Sequence, residues 1–443
     1  MFDVNVAAVL IAGLLVLVAL GVHIAIALGM TSALGIWFVT RDVEVVATML
    51  GSTAYESLRD YVFAVIPLFM LMGEFIGRSG AVGDVYRGIN RLLRRLPGRL
   101  AIATVLGNAL FSFVTGVSIA SAAAFSRIAF PEMKRFGYHK GFALGAVAGS
   151  SCLGMLIPPS VLMIVWGILT EKSIGQIFLA GVLPGLLLTA LFVLYILLSA
   201  LLRPQLVGGG GDTRAGSKVD EVSPAAFLTS LAGIVAVILA VLGGIWFGIF
   251  TPTEGAGAGA LIGLVLAIVK GMRLREIVDA ILAVGRTSAP ILLLLVAASL
   301  YSRTLAMTGV TSAIQDLFLG TGLTPLMVVA VMVFVWFVLG MVIDSISIML
   351  LTVPIFAPIA ESLGYDPIAF AIVGILAIEA GLLTPPFGLL VYTVKAATHD
   401  EDPAVSMVEL FASSTPYWLI ILACMAMIIG LPAIATALPG LLF

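Results

Sequence analysis

Two carboxylates stand in apolar surroundings: Asp344 within Gly340-Met-Val-Ile-Asp-Ser-Ile-Ser-Ile348, and Glu379 just ahead of Gly381-Leu-Leu-Thr-Pro-Pro-Phe387. An ionisable group in such a stretch is costly to bury and marks a functional site by default. Each could ligate a cation directly, or carry a proton if burial raised its pKa; the plain alternative is an ion pair with a basic neighbour. Serine, threonine and glycine surround them, and unwound backbone carbonyls add oxygen ligands without fixed charge. That donor set suits an alkali cation. We expect one Na+ constellation from Gly116, Ser118, Ser150 and Gly154, and a second from Asp344, Ser345, Glu379, Gly381 and Thr384. Substrate contacts are expected at Ser118, Ser121, Ser345 and Ser347, beside Pro158 and Pro385, which remove amide donors and stop a helix from re-forming. Arg127 follows the first serine by nine residues. It could grip a substrate carboxylate bidentately, or snorkel at the base of its element.

These residues belong to a passage that the chain contains twice. Ser118/Ser345, Pro131/Pro358, Gly137/Gly364, Tyr138/Tyr365, Gly154/Gly381, Pro158/Pro385 and Pro159/Pro386 are all 227 positions apart. Each copy sets Gly, Ser and a Pro-Pro pair inside apolar sequence, where backbone groups lose their helical partners. In a bilayer such breaks survive only where protein or a wet cavity encloses them. Matched breaks in two halves are the sequence mark of a secondary transporter's binding site. Other candidates are weaker: Glu74 within Gly73–Gly77 could pack nearby, while His23, His139 and His399 have no metal spacing. Cys152 and Cys424 read as isolated packing thiols.

Composition agrees with a membrane setting. Of 443 residues, 61% are hydrophobic and 10% charged, and mean hydropathy is +1.21. A soluble domain is excluded, and the net charge of -2 carries no nucleic-acid signal. Runs long enough to cross lie near 4–20, 23–40, 60–77, 138–170, 177–200, 226–248, 254–272, 287–304, 367–395 and 415–435, with 138–170 and 367–395 interrupted. The pieces 101–133 and 324–362 each split at a Gly/Ser tip. Their shorter arms, at roughly 15 residues, reach only about 22 Å against a core of about 30 Å, so both read as re-entrant hairpins.

The fold expected is therefore an all-α polytopic membrane protein with two repeats of about five crossings, spanning 1–206 and 224–443 around a cytoplasmic linker at 207–223. An odd number of crossings inverts the second repeat. With the N-terminus outside, eighteen of the 22 Lys and Arg fall on cytoplasmic segments, and only Arg41, Arg59, Lys172 and Arg303 fall outside. That bias obeys the positive-inside rule. The arginine-rich run Tyr86–Arg99 is expected to form an amphipathic surface helix. The segments 41–58, 171–176 and 305–323 are expected as outward loops.

Gly73-Glu-Phe-Ile-Gly77, Gly116–Ala120, Ile157-Pro-Pro-Ser160, Ala180-Gly-Val-Leu-Pro-Gly185, Gly248-Ile-Phe-Thr-Pro-Thr-Glu254 and Glu379–Gly388 resemble the DctM-type large membrane subunit of tripartite ATP-independent periplasmic (TRAP) transporters. The resemblance spans nearly the whole chain. It implies an elevator-type fold of the ion-transporter superfamily in a bacterial inner membrane. It also implies Na+-coupled uptake of a small organic acid, delivered by a periplasmic binding protein, with a separate four-helix DctQ-type subunit as partner. Two alternatives stay open: a free-standing carboxylate or anion transporter, and an intramembrane enzyme using Asp344 with Glu379. A channel would not need paired broken helices, and nothing resembles a nucleotide site.

Overall fold

The structure, a computed structural model, describes residues 4–208, 223–320 and 322–442. The first half runs α1 (Val4–Ala19), α2 (Ile24–Thr40), α3 (Val43–Arg59), α4 (Val65–Arg78), α5 (Ala81–Leu92), α6 (Arg99–Thr115), α7 (Ser118–Arg135), α8 (Lys140–Ser151), α9 (Leu153–Leu156), α10 (Val161–Thr170) and α11 (Ile174–Leu202). The second half runs α12 (Pro224–Ile238), α13 (Gly244–Trp246), α14 (Pro252–Val269), α15 (Leu274–Thr308), α16 (Val310–Gly320) and α17 (Pro325–Gly340). It continues through α18 (Ser345–Ser362), α19 (Pro367–Gly381), α20 (Leu389–Ala397), α21 (Met407–Gly430) and α22 (Ala433–Leu442). Most of the expected linker lies outside the described residues.

The 227-residue offset carries over into the elements. Helices α7 and α18 are both 18 residues long and start 227 positions apart, as do α8 and α19. Helix α6 is followed by α7 after a turn at Gly116-Val117, and α17 by α18 after residues 341–344. Both expected broken helices are present too, interrupted before α10 and before α20, and the Pro158-Pro159 and Pro385-Pro386 bonds are cis.

Burial sorts the helices into two kinds. Within Lys140–Thr170, 89% of the most apolar window is buried, against 28% in Pro224–Trp246 and in Leu274–Thr308. The broken helix α8–α10, α19 and the hairpin arms α6 and α18 thus fill much of the interior, while α17 and the unbroken helices turn one face outward. Hydrocarbon can solvate the side chains of a continuous helix but not the free amides of a broken one. Among the described residues eight helices are long and apolar enough to cross a bilayer. Trp166, Trp336 and Phe370 tie α10, α17 and α19 together with ring centroids 5.3–5.9 Å apart, and Trp336 Nε1 donates to Thr352 Oγ1 at 2.7 Å. A paired indole N–H lets so large a ring be fully buried.

Several boundaries differ from expectation. The expected loops 41–58 and 305–323 contain helices α3 and α16, which sequence hydropathy passes over because Glu44, Glu56, Arg59, Gln315 and Asp316 interrupt them. The expected span 287–304 falls mostly in the C-terminal half of the 35-residue α15, and 415–435 breaks at Leu431-Pro432 between α21 and α22. The amphipathic arm is α5, ending at Leu92, so Leu93–Gly98 and its two arginines form a turn. Thr251-Pro252-Thr253-Glu254 proves to be a capping box: Glu254 Oε2 accepts from Thr251 N at 2.8 Å, and Thr251 Oγ1 accepts from Glu254 N at 3.3 Å. Glu74 pairs with Arg78 at 2.5 Å on an exposed face.

The arm α5 is clipped to the unbroken helices. Asp84 accepts from Ser230 on α12 at 3.0 Å, from Arg87 at 2.8 Å and from Lys270 at the end of α14. Burial alone would raise the Asp84 carboxyl; these donors outweigh it and hold it below its ordinary value. Asp84→Ala would leave Lys270 without its carboxylate, and breaking one side of a buried pair costs about 3 kcal/mol or more. Thermal unfolding in detergent should show that loss at pH 7. Because the folded value is depressed, the stabilisation is present above the unfolded value of about 3.9 and disappears as pH falls below it, so wild type and variant should converge in acid.

Candidate functional site

The two hairpin tips meet at one carboxylate. Glu379, 1% exposed near the end of α19, accepts a 2.6 Å hydrogen bond on Oε2 from Ser118 Oγ and a 3.3 Å hydrogen bond on Oε1 from Ser345 Oγ. Ser118 and Ser345 open α7 and α18, so each hairpin presents the first residue of its second arm to the same group. Among the described residues Glu379 has no ion pair. Cys152, the residue 227 positions before Glu379, is buried within electrostatic reach of its carboxylate.

Each tip is seated on the break of its own half. The Gly116 carbonyl accepts from Val161 N at 3.1 Å, and the Met341 carbonyl accepts from Phe387 N at 3.1 Å and Gly388 N at 3.3 Å. Glycine makes this approach possible. A Cβ on Gly116, whose φ is +60°, would stand 2.3 Å from the Pro159 carbonyl oxygen, and one on Gly381 would stand 2.5 Å from the Phe337 oxygen. A Cβ on Gly154 would lie 2.9 Å from Ser118 N. Backbone, not flexible side chain, fills the space in all three cases.

The remaining expected residues divide. Ser150 accepts from Asn108 Nδ2 at 2.7 Å and donates to the Ala146 carbonyl at 2.6 Å, deep in the first hairpin's seat. Asn108 went unremarked in the sequence, although a lone Asn eight residues before a tip glycine was the available signal. Ser121 is fully buried one turn below Ser118, its hydroxyl without a partner among the described residues. Thr384 donates to the Gly381 carbonyl at 2.7 Å and so closes its own turn. Pro158 is buried and Pro385 exposed, so the two breaks are covered unequally.

Two of the expected residues stand apart from the hydrogen bonds to Glu379. Asp344 does not join Glu379: it is the N-cap of α18, and its carboxylate takes both the Ser347 backbone N–H at 3.0 Å and the Ser347 hydroxyl. An acid at that position satisfies an orphan amide of the helix, which is what the sequence Asp-Ser-Ile-Ser dictates. Ser347 is thereby occupied as well. Arg127 lies exposed on α7, two and a half turns from the tip, and meets no part of the Glu379 cluster.

Chemically the centre is a buried carboxylate with two hydroxyls and nearby unwound carbonyls. No group of three His, Cys, Asp or Glu suited to a metal occurs among the described residues. An all-oxygen set with a single negative charge fits a hard monovalent ion rather than a transition metal.

Residues 11–434 match the family described as the tripartite ATP-independent periplasmic transporter, DctM component. The chain belongs to the DctM family. The C4-dicarboxylate TRAP transporter large permease protein DctM of Pseudomonas aeruginosa is 32% identical over 93% of both chains. The sialic acid TRAP transporter large permease protein SiaM of Vibrio cholerae is 28% identical over 82% of both. The isethionate TRAP transporter permease protein DctMQ of Oleidesulfovibrio alaskensis is 27% identical over 95% of this chain and 64% of its own. In fold, the chain resembles the YdaH transporter of Alcanivorax borkumensis, with a TM-score of 0.66 at 15% identity over 88% of both chains. It also resembles MtrF of Neisseria gonorrhoeae, with a TM-score of 0.61 at 14% identity over 90% of this chain and 84% of that one. A DctM-family chain is a polytopic transporter subunit, and the intramembrane-enzyme reading of Asp344 with Glu379 ends here.

Proposed function

We propose that this DctM-family chain couples Na+ entry to uptake of a small carboxylate, with Glu379 and the two tip serines as the coupling centre. The observation that carries the proposal is the meeting of Ser118 and Ser345 on one buried carboxylate. Residues at matching positions of two repeats come together only near the axis that relates the repeats. Cys152, 227 positions before Glu379, lies within electrostatic reach of it, in agreement with that axis. This supports an inverted repeat whose axis passes through the site, with the N-terminus outside as the arginine distribution requires.

A carboxylate without a cationic partner in a dry interior is unfavourable. A Na+ ion held by Glu379, the serine hydroxyls and tip carbonyls supplies the missing charge and orders both tips. The ordered tips then present half-helix N-termini, which favour an anionic substrate group. Coupling of this kind is reciprocal: substrate must raise Na+ affinity by the factor by which Na+ raises substrate affinity. The moving body comprises the hairpins and broken helices, the fixed body the unbroken helices, as an elevator needs. By the family's tripartite description, a periplasmic binding protein hands over the substrate and a small DctQ-type subunit completes the complex in the inner membrane.

Ser118→Ala and Ser345→Ala test the assignment. Each should raise the Na+ concentration for half-maximal uptake by about tenfold or more, the loss of about 1.5 kcal/mol or more from one hydrogen bond to a charged group. Unchanged Na+ dependence in both variants would reject the tips as part of the ion site.

A further inference from the structure

A cavity of about 190 Å³ lies where α10, α18 and α15 meet, with Trp166, Glu171, Lys172, Ser302, Glu361 and Phe370 in its lining. None of these belongs to the Glu379 cluster. Glu171 caps α10, Glu361 lies in the last turn of α18, and Ser302 stands six residues before the end of α15. The adjoining ends of α10 and α18 place the opening at one end of the helix bundle, near the level of membrane headgroups.

The lining is selective by charge. Two carboxylates face one ammonium, since Lys172 Nζ reaches Glu361 at 3.0 Å and Glu171 has no ion pair among the described residues. The carbonyl ends of α10 and α18 add partial negative charge. Glu171 also holds a left-handed φ of +55°, a conformation a non-glycine residue keeps only when its surroundings impose it. A free carboxylate is repelled here, so the cavity is not an outer copy of the Glu379 site. A primary ammonium is attracted, and it can replace Lys172 on Glu361, leaving the Lys172 ammonium, now held at 3.0 Å from Glu361, for an anionic group on the same ligand.

We propose that this cavity binds an ammonium–phosphate zwitterion of the phosphoethanolamine type, the ammonium at Glu171 and Glu361 and the phosphate at Lys172. The volume is below the ~300 Å³ at which sites for drug-sized ligands begin, which suits a headgroup rather than a whole molecule. The test reads lipid retention and not transport, so either reading can fail alone.

The test is native mass spectrometry of the delipidated full chain, titrated with phosphatidylethanolamine or phosphatidylglycerol. Wild type should retain phosphatidylethanolamine at least fivefold better, millimolar soluble phosphoethanolamine should displace it, and the Glu171→Gln/Glu361→Gln variant should lose the preference. Equal retention of the two lipids by wild type would overturn the proposal without recourse to any variant. So would a bound lipid that soluble phosphoethanolamine leaves in place, or a preference that survives in a folded double variant.

Discussion

Glu379→Gln is expected to lower ion-driven accumulation of substrate by about two orders of magnitude while the fold stays intact. The amide has the shape of the acid, so the packing of α19 is kept. What goes is the negative charge on which Ser118 at 2.6 Å and Ser345 at 3.3 Å converge. The amide can still bond both hydroxyls, but a hydrogen bond to a charged group is worth about 1.5–3 kcal/mol against about 0.5–1.5 for a neutral one, and ~1.4 kcal/mol is tenfold, so weakening both costs about 100-fold. Glu379→Asp keeps the charge but withdraws it by one methylene, and should fall between wild type and the amide. Uptake into proteoliposomes under a fixed Na+ gradient measures both. An amide variant that retains a third of wild-type accumulation would remove Glu379 from the coupling role.

The next largest effect is expected at Gly116. Alanine there must adopt a left-handed backbone, at about 1–2 kcal/mol, and must also push its Cβ into the Pro159 carbonyl, where overpacking costs about 1–3 kcal/mol. The neighbour is backbone inside a broken helix, so the tip gives way instead. Gly116→Ala should cut uptake by at least tenfold and expose a cysteine placed at position 118, which wild type buries to 1% exposure. Gly248→Ala is the matched control, with φ of +69° and nothing within 4 Å of its Cβ. If maleimide labels the two backgrounds at the same rate, tip docking does not depend on glycine at position 116.

Much of this was legible in the chain because a fixed offset survives where composition has drifted. Hairpins, broken helices and the pairing of Ser118 with Ser345 all follow from residues that recur 227 positions apart. Helices α3 and α16 were hidden because charged residues interrupt them and leave them without the apolar length that marks a crossing. The direction of individual side chains was hidden as well. Asp344 and Glu379 look alike in the sequence, yet Asp344 is consumed by capping α18 and Glu379 is left for the tips. The position of Asp344 one residue ahead of a helix, three before Ser347, contained that answer; the partners of Glu379 required the fold. Asn108 and the Asp84–Lys270 clip join residues distant in sequence, a relation that no local pattern encodes.

The centre formed by the two tips is tested most directly by reconstituting the chain with its small membrane subunit and binding protein, and following substrate accumulation with and without an inward Na+ gradient. The arrangement around Glu379 predicts accumulation against the substrate gradient only when Na+ flows inward, and its collapse when a Na+ ionophore dissipates the gradient. Accumulation that proceeds equally without Na+ would contradict it.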